Sequence, residues 1–190
     1  MGKVIVTNWV TLDGVMQAPG RPNEDTRDGF TRGGWATPYS DPVVGAKMGE
    51  RMTGGFEWLF GRRTYEDLLA TWTAQGGPFK DSLENTAKHV VSRDAGTTLR
   101  WPNSELIHGD VFAAVAALKR RSDANLVIMG SGVLVGSLAA AGVIDEYVLM
   151  IAPVVLGEGR RLFGDGTHAT LRLLDCTPTG TGAVIATYAT

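Results

Sequence analysis

Short apolar runs, each closed by glycine, aspartate or serine, recur along this chain and set its elements. Lys3–Val10, KVIVTNWV, is apolar at most positions and β-rich, as in a strand buried on both faces. Thr11-Leu12-Asp13-Gly14 ends it with a turn signal. Asp41 as N-cap and Pro42 at the first helical position open a helix over 41–52, where Val44, Met48 and Met52 share a face. Gly54-Gly55 stops that helix, and Phe56–Phe60 reads as a short strand. Thr64 then reads as the cap of a helix over Tyr65–Trp72, and a further helix over Phe79–Thr86 follows the break at Gly76-Gly77-Pro78. Lys88–Arg93 and Glu105–Ile107 are strands. Asp110 caps a helix over Val111–Arg121, whose last turn carries Lys119, Arg120 and Arg121 at the electronegative end. Leu126–Met129 is a strand that turns through Gly130-Ser131-Gly132 into a helix reaching Ala141, and Val143–Ile151 is the next strand. Ala169–Thr190 forms two strands joined by an irregular loop at Thr177–Gly182.

Strands alternating with helices predict an α/β fold of three layers, α/β/α. Its mostly parallel sheet is covered on both faces and closed by a C-terminal antiparallel hairpin. At 190 residues and 44% hydrophobic composition, one domain over 1–190 is expected. A net charge of −2 gives no footprint for nucleic acid or an anionic membrane. No apolar run approaches the roughly 18 residues of a spanning helix. Met1-Gly2-Lys3 leads straight into a strand, which gives no support for a signal peptide. The single cysteine, Cys176, cannot form an internal disulfide, so a reducing cytoplasmic setting is expected.

Val15–Ser40 stands apart as a long irregular segment of the kind that serves as a lid or binding loop. Its Phe30, Trp35 and Tyr39 either cover a planar ligand or pin the segment to the core. Glu24, Asp25 and Asp28 cluster without a histidine nearby, so no metal site is expected, and His89, His108 and His168 are scattered. Gly130-Ser131-Gly132 departs from the dinucleotide fingerprint, whose third glycine would fall at Val135; Gly136 is one residue late. The phosphate-loop lysine pattern and the G-x-S-x-G nucleophile signature are both missing. Three strand ends nevertheless bear groups that favour anions: Gly61–Thr64, Ser92-Arg93 and Gly130–Gly132. A parallel sheet brings all three to one edge, where a ligand with a pyrophosphate and a 2′-phosphate, such as NADPH, would use them. Asp13 also falls at that edge, either as a ligand-facing carboxylate or as a turn residue bonding its own backbone.

The chain resembles the dihydrofolate reductase-like family, specifically the reductase domain of riboflavin biosynthesis and its stand-alone relatives. The segments that carry the resemblance are Thr11–Gly14, Gly61–Glu66, Gly130–Gly132, Ile144–Tyr147, and Pro153–Gly159 with Leu162-Phe163. Together they span nearly the whole chain. The resemblance implies NADPH as cofactor. Gly61, Arg62, Arg63 and Thr64 would meet its pyrophosphate and 2′-phosphate, and Ser92 and Arg93 its adenosine side. Gly130, Ser131, Gly132, Val133 and Leu134 would wrap the pyrophosphate and nicotinamide half. Hydride would pass to a pterin- or pyrimidine-like substrate, of the dihydrofolate or ribosylamino-pyrimidine class, lying between the first strand, the long segment and the 41–52 helix. Folate-reducing members carry a carboxylate early in that helix. The comparable place is near Gly45, flanked by Asp41 and Glu50, which with Asp13 are the candidate catalytic carboxylates. Arg21, Arg27, Arg32 and Lys47 are available for a substrate phosphate. Relatives associate through segments matching Val143–Ile151 and Val154–Phe163, so a homodimer is expected. The alternative reading is a non-catalytic nucleotide- or small-molecule-binding dimer of the same fold.

Overall fold

The computed structural model describes residues 1–164 and 166–190. Among the described residues eight strands form one sheet. They are β1 (Val4–Thr11), β2 (Phe56–Gly61), β3 (Lys88–Val91), β4 (Ser104–Ile107), β5 (Asn125–Met129), β6 (Glu146–Ala152), β7 (Arg172–Pro178) and β8 (Val184–Ala189). Five α-helices accompany them: α1 (Pro42–Glu50), α2 (Arg62–Gln75), α3 (Pro78–Asn85), α4 (Val111–Arg121) and α5 (Gly132–Ala140). The strand order is β4-β3-β2-β5-β1-β6-β8-β7, parallel except where β8 pairs antiparallel with β6 and with β7. This is the expected three-layer α/β architecture with its C-terminal hairpin. No helix among the described residues is long and apolar enough to cross a membrane.

Alternation along the central strands decides which helices cover which face. Val4, Val6 and Val10 of β1 pack with Leu59, Leu126 and Ile128 against Val115 and Leu118 of α4 and Leu134, Val135 and Leu138 of α5. On the other face Trp58, Phe60, Val90 and Val127 meet Tyr65 and Leu69 of α2 and Leu83 of α3. Ile5, Val148, Met150 and Ile185 take Val44 of α1 on that same face. The caps form as expected at both aspartates: Asp41 Oδ1 accepts from Val43 N–H at 2.9 Å, and Asp110 Oδ1 from Ala113 N–H at 2.9 Å.

Several sequence expectations need correction. Helix α2 begins at Arg62, with Gly61 in the N-cap position, so Thr64 lies inside the first turn and does not cap it. Strand β6 begins at Glu146; Val143 and Ile144 instead pack beneath α5. Its apolar run sits between β1 and β8 and is buried along nearly its whole length, so it is sheet core and offers no surface for association. Lys88 is fully buried in β3, where its ammonium donates to the carbonyls of Leu83 (2.5 Å) and Thr86 (2.8 Å) at the end of α3. Burial pulls its pKa down to about 8.

Candidate active site

The strand ends of β1, β2 and β5 meet at one edge and are bonded to one another. Strand β1 leaves the sheet toward α1, and β5 leaves through α5 on the opposite face. Such a reversal between neighbouring strands opens a crevice at their C-terminal ends. Beside it, between the ends of β5 and β2, Ser131 Oγ accepts from Gly61 N–H at 2.8 Å and Ser131 N–H donates to Thr64 Oγ1 at 3.0 Å. Gly130 N–H donates to Asn8 Oδ1 at 3.1 Å. Gly130 and Ser131 both take left-handed backbone, φ 70° and 59°, a conformation that suits glycine and that Ser131 holds with its two bonds to the β2 end. Thr64, read from sequence as a cap, is thus the link between the two glycine turns.

These residues fit a dinucleotide phosphate. A side chain at Gly130 would come within 3.0 Å of Thr64 Cγ2, and one at Gly61 within 3.3 Å of Ser131 Oγ, so glycine is what lets the two turns pack directly against each other. Val133 and Leu134 follow Gly132 in the first turn of α5, where backbone N–H groups lack helical partners. Arg63 is exposed and has no carboxylate partner among the described residues, whereas Arg62 pairs with Glu66 at 3.5 Å. Ser92 is buried and bonded within its own turn: its hydroxyl shares a hydrogen with Thr97 Oγ1 at 2.7 Å and accepts from Asp94 N–H at 3.2 Å. Arg93 beside it is exposed, with no carboxylate partner among the described residues.

The candidate catalytic carboxylates are placed very differently. Asp13 sits at the β1 end, where Oδ1 accepts from Thr11 Oγ1 (2.6 Å) and Leu156 N–H (3.2 Å), and Oδ2 from Gly157 N–H (2.8 Å). The Thr11 hydroxyl, and after it the Gly157 and Leu156 amides, hold the carboxyl at about 2, against 3.8 ordinarily. Asp13 is therefore a brace between β1 and the 153–159 segment, with its amide partners in that segment and not in its own turn. Because the folded-state pKa is the lower one, the brace contributes fully above about pH 4 and is lost as pH falls toward 2. Acid unfolding of wild type and Asp13→Asn, followed by circular dichroism, is expected to show a flatter pH dependence in that window for the variant. Identical slopes would remove Asp13 from the account.

Asp41 is at the ligand edge, but both its oxygens are taken, Oδ1 by Val43 N–H and Oδ2 by Gly180 N–H at 2.9 Å. Glu50 is a correction. Helix α1 runs back across the sheet, so its last turn reaches the N-terminal ends of the strands. There Asn125 Nδ2 donates to Arg51 O, Arg51 Nε pairs with Glu146, and Glu50 pairs with Lys47 at 3.2 Å. Glu50 is at the far edge from the crevice and cannot serve chemistry there.

The segment from Val15 to Ser40 is folded and has its own small core. Val15, Ala18, Phe30, Trp35 and Ala36 pack together on Ala152, and Trp35 Nε1 donates to Gln17 O at 2.7 Å. Phe30 and Trp35 are thus pins, and the half-buried Tyr39 packs against the same core. The four basic residues available for a substrate phosphate are all paired. Arg21 donates to Asp67 Oδ1 (2.7 Å) and Thr71 Oγ1 (2.5 Å), Arg27 Nε to Asp25 Oδ1 (2.7 Å), and Arg32 Nε to Glu158 (2.9 Å); Lys47 pairs with Asp175 at 3.0 Å. His89 is also structural, buried in β3 with Glu57 at 2.6 Å and Glu105 at 3.3 Å. No cluster suited to a metal occurs among the described residues. Asn8 and Met16 were not singled out from sequence, although Thr7-Asn8 is the one polar interruption in the apolar run Val4–Val10.

A family model described as the RibD C-terminal domain matches residues 2–185. The uncharacterized protein YwjB of Bacillus subtilis strain 168 is 40% identical over 116 residues, 60% of this chain and 63% of YwjB, so the match spans less than two thirds of that relative. Among solved structures, a dihydrofolate reductase from Enterococcus faecalis, complexed with NADP(H) and RAB-propyl, aligns with a TM-score of 0.65 at 15% identity, over 99% of this chain and 96% of that one. A pyrimidine reductase-like protein from Corynebacterium diphtheriae aligns with a TM-score of 0.66 at 13% identity, over 99% and 91%. At these identities the structural likeness is one of fold.

Proposed function

The chain belongs to the RibD C-terminal domain family, and from that premise we propose that it is an NADPH-dependent reductase of a small pterin- or pyrimidine-like heterocycle. The observation that carries this reading is the bonded junction of Gly61–Thr64 with Gly130–Ser131, flanked by the unpaired Arg63 and Arg93. When bound, the reduced nicotinamide supplies a hydride from its C4. A C=N or C=O of the substrate takes that hydride at carbon and a proton at the heteroatom, and NADP⁺ remains. The protein's part is to hold the two rings in register and keep bulk water from the reacting carbon. Asp13, ionised down to about pH 2, is no proton donor near neutrality. Asp41, with both oxygens on backbone amides, is poorly placed to give one up. The proton then comes from water entering beside the substrate.

That Asp13 and Asp41, the two candidate carboxylates at this edge, are both engaged favours a second reading, a protein that binds the nucleotide and does not turn it over. Titration with NADPH, followed by stopped-flow oxidation of the bound cofactor against a panel of pterins and pyrimidines, separates the two. Binding without oxidation by any of them would leave the second reading standing. Within the panel, a ribosylamino-pyrimidine and its 5′-phosphate are expected to be reduced at similar kcat/KM, because the basic residues near the segment are already paired. A phosphate preference above about tenfold would show that at least one pair opens to receive it.

Association as a homodimer belongs to the same proposal. Val155, 68% exposed, and Leu173 and Leu174 on β7, 53% and 40%, are apolar groups such a contact would cover.

A further inference from the structure

Asn8 is 4% exposed and sits one residue beyond the Thr7–Met129 register pair, opposite Gly130, with its side chain on the α5 face between Val6 and Val10. Its Oδ1 accepts from Gly130 N–H at 3.1 Å. That bond fixes the orientation of the amide, since a backbone N–H can only meet the oxygen. The other end, Nδ2, faces Met16 Sδ at 3.7 Å and has no oxygen partner among the described residues. A thioether is a weak acceptor, and buried amide donors in native proteins are as a rule matched by something better.

Met16 also lies over the start of α5, its sulfur 2.8 Å from the place a Cβ on Gly132 would occupy. One unbranched side chain therefore covers both the Asn8 donor and the glycine turn that would hold the dinucleotide. Methionine has three rotatable bonds, so it can turn aside with no change in the backbone. Adjacent strand residues point to opposite faces, and Trp9 accordingly packs toward α1, on the side where substrate would lie. Asn8 is thus on the cofactor's side of β1.

We propose that Asn8 recognises the nicotinamide half of the cofactor: with Met16 turned aside, its Nδ2 donates to the carboxamide oxygen while its Oδ1 keeps Gly130 in place. This rests on the NADPH reading and adds to it the residue that senses the reacting end of the molecule. Arg63 senses only its 2′-phosphate.

Calorimetric titration with two ligands tests it: NADPH, and adenosine 2′,5′-bisphosphate, which carries the 2′-phosphate but no nicotinamide. Asn8→Asp keeps an oxygen for Gly130 and removes the donor. It is expected to weaken NADPH by about tenfold or more while bisphosphate binding stays within about twofold. Met16→Ala, which uncovers the donor and leaves Asn8 untouched, is expected to tighten NADPH and not the bisphosphate, and it serves as the test should Asn8→Asp fail to fold. Equal losses for both ligands in Asn8→Asp would overturn the proposal by reducing Asn8 to a brace for Gly130. Unchanged affinities for both ligands in the variants would overturn it as well. Wild-type protein that binds neither ligand would instead overturn the NADPH reading on which it stands.

Discussion

Replacing Arg63 by alanine is expected to weaken NADPH binding by about 1.5–3 kcal/mol, roughly 10- to 150-fold, and to leave NADH nearly unchanged. Arg63 lies in the first turn of α2, exposed and without a carboxylate partner among the described residues, so its guanidinium is available to a phosphate. The electropositive helix start adds to its field. Arg62, one position earlier, already shares its charge with Glu66 at 3.5 Å, and its loss should cost no more than a few-fold. Parallel fluorescence titrations of both variants with both coenzymes make the comparison. Equal losses for NADPH and NADH in Arg63→Ala would show that this residue does not read the 2′-phosphate. Because the contact is exposed, the preference for NADPH should also shrink as ionic strength rises.

Trp58→Ala is expected to be the most damaging substitution for the fold, at about 3–5 kcal/mol. Trp58 is fully buried at the centre of β2, stacked on Phe60 with ring centroids 5.3 Å apart and met edge-on by Phe56 at 5.1 Å and Phe79 at 6.0 Å. Truncation leaves a cavity that three other rings line. Trp58→Phe should cost far less. The indole N–H has no hydrogen-bond partner among the described residues, so removing it relieves an unmatched donor while most of the contact area stays. Urea melts of the two variants give both numbers, and a Trp58→Phe loss as large as that of Trp58→Ala would contradict the role given to the orphaned N–H.

The parts of this architecture that local chemistry dictates could be read directly from the chain. Asp41 and Asp110 cap the helices they precede, the alternation of strands and helices gives three layers, and the three strand ends rich in glycine, serine and arginine lie at one edge of the sheet. Whatever depends on a distant partner was hidden. Thr64 has the side chain of a cap, but its hydroxyl answers Ser131, sixty-seven residues later in the chain. The apolar run at Glu146–Ala152 has the same composition whether it packs on another subunit or on β8, and it packs on β8. Glu50 shares a helix with Asp41, and periodicity gives the helix a face without saying which edge of the sheet its last turn will reach. Asn8 reads only as a polar break in a strand until Gly130 is seen opposite it.

The two kinds of fastening in the Val15–Ser40 segment answer to different variables. Inside, it is held by apolar contact and by backbone bonds such as Gly34 N–H to Ala18 O at 2.8 Å and Ala36 N–H to Pro19 O at 3.0 Å. Outside, it is tied to α2 by Arg21 and Asp67, and to the 158–160 stretch by Arg32 with Glu158 and by Asp28 with Arg160 at 2.8 Å. Salt weakens the second set and leaves the first almost untouched. The segment is in effect a stiff plate whose outer ion pairs answer to the ionic medium, while its seat on Ala152 and backbone bonds such as Met16 N–H to Arg160 O at 2.9 Å do not.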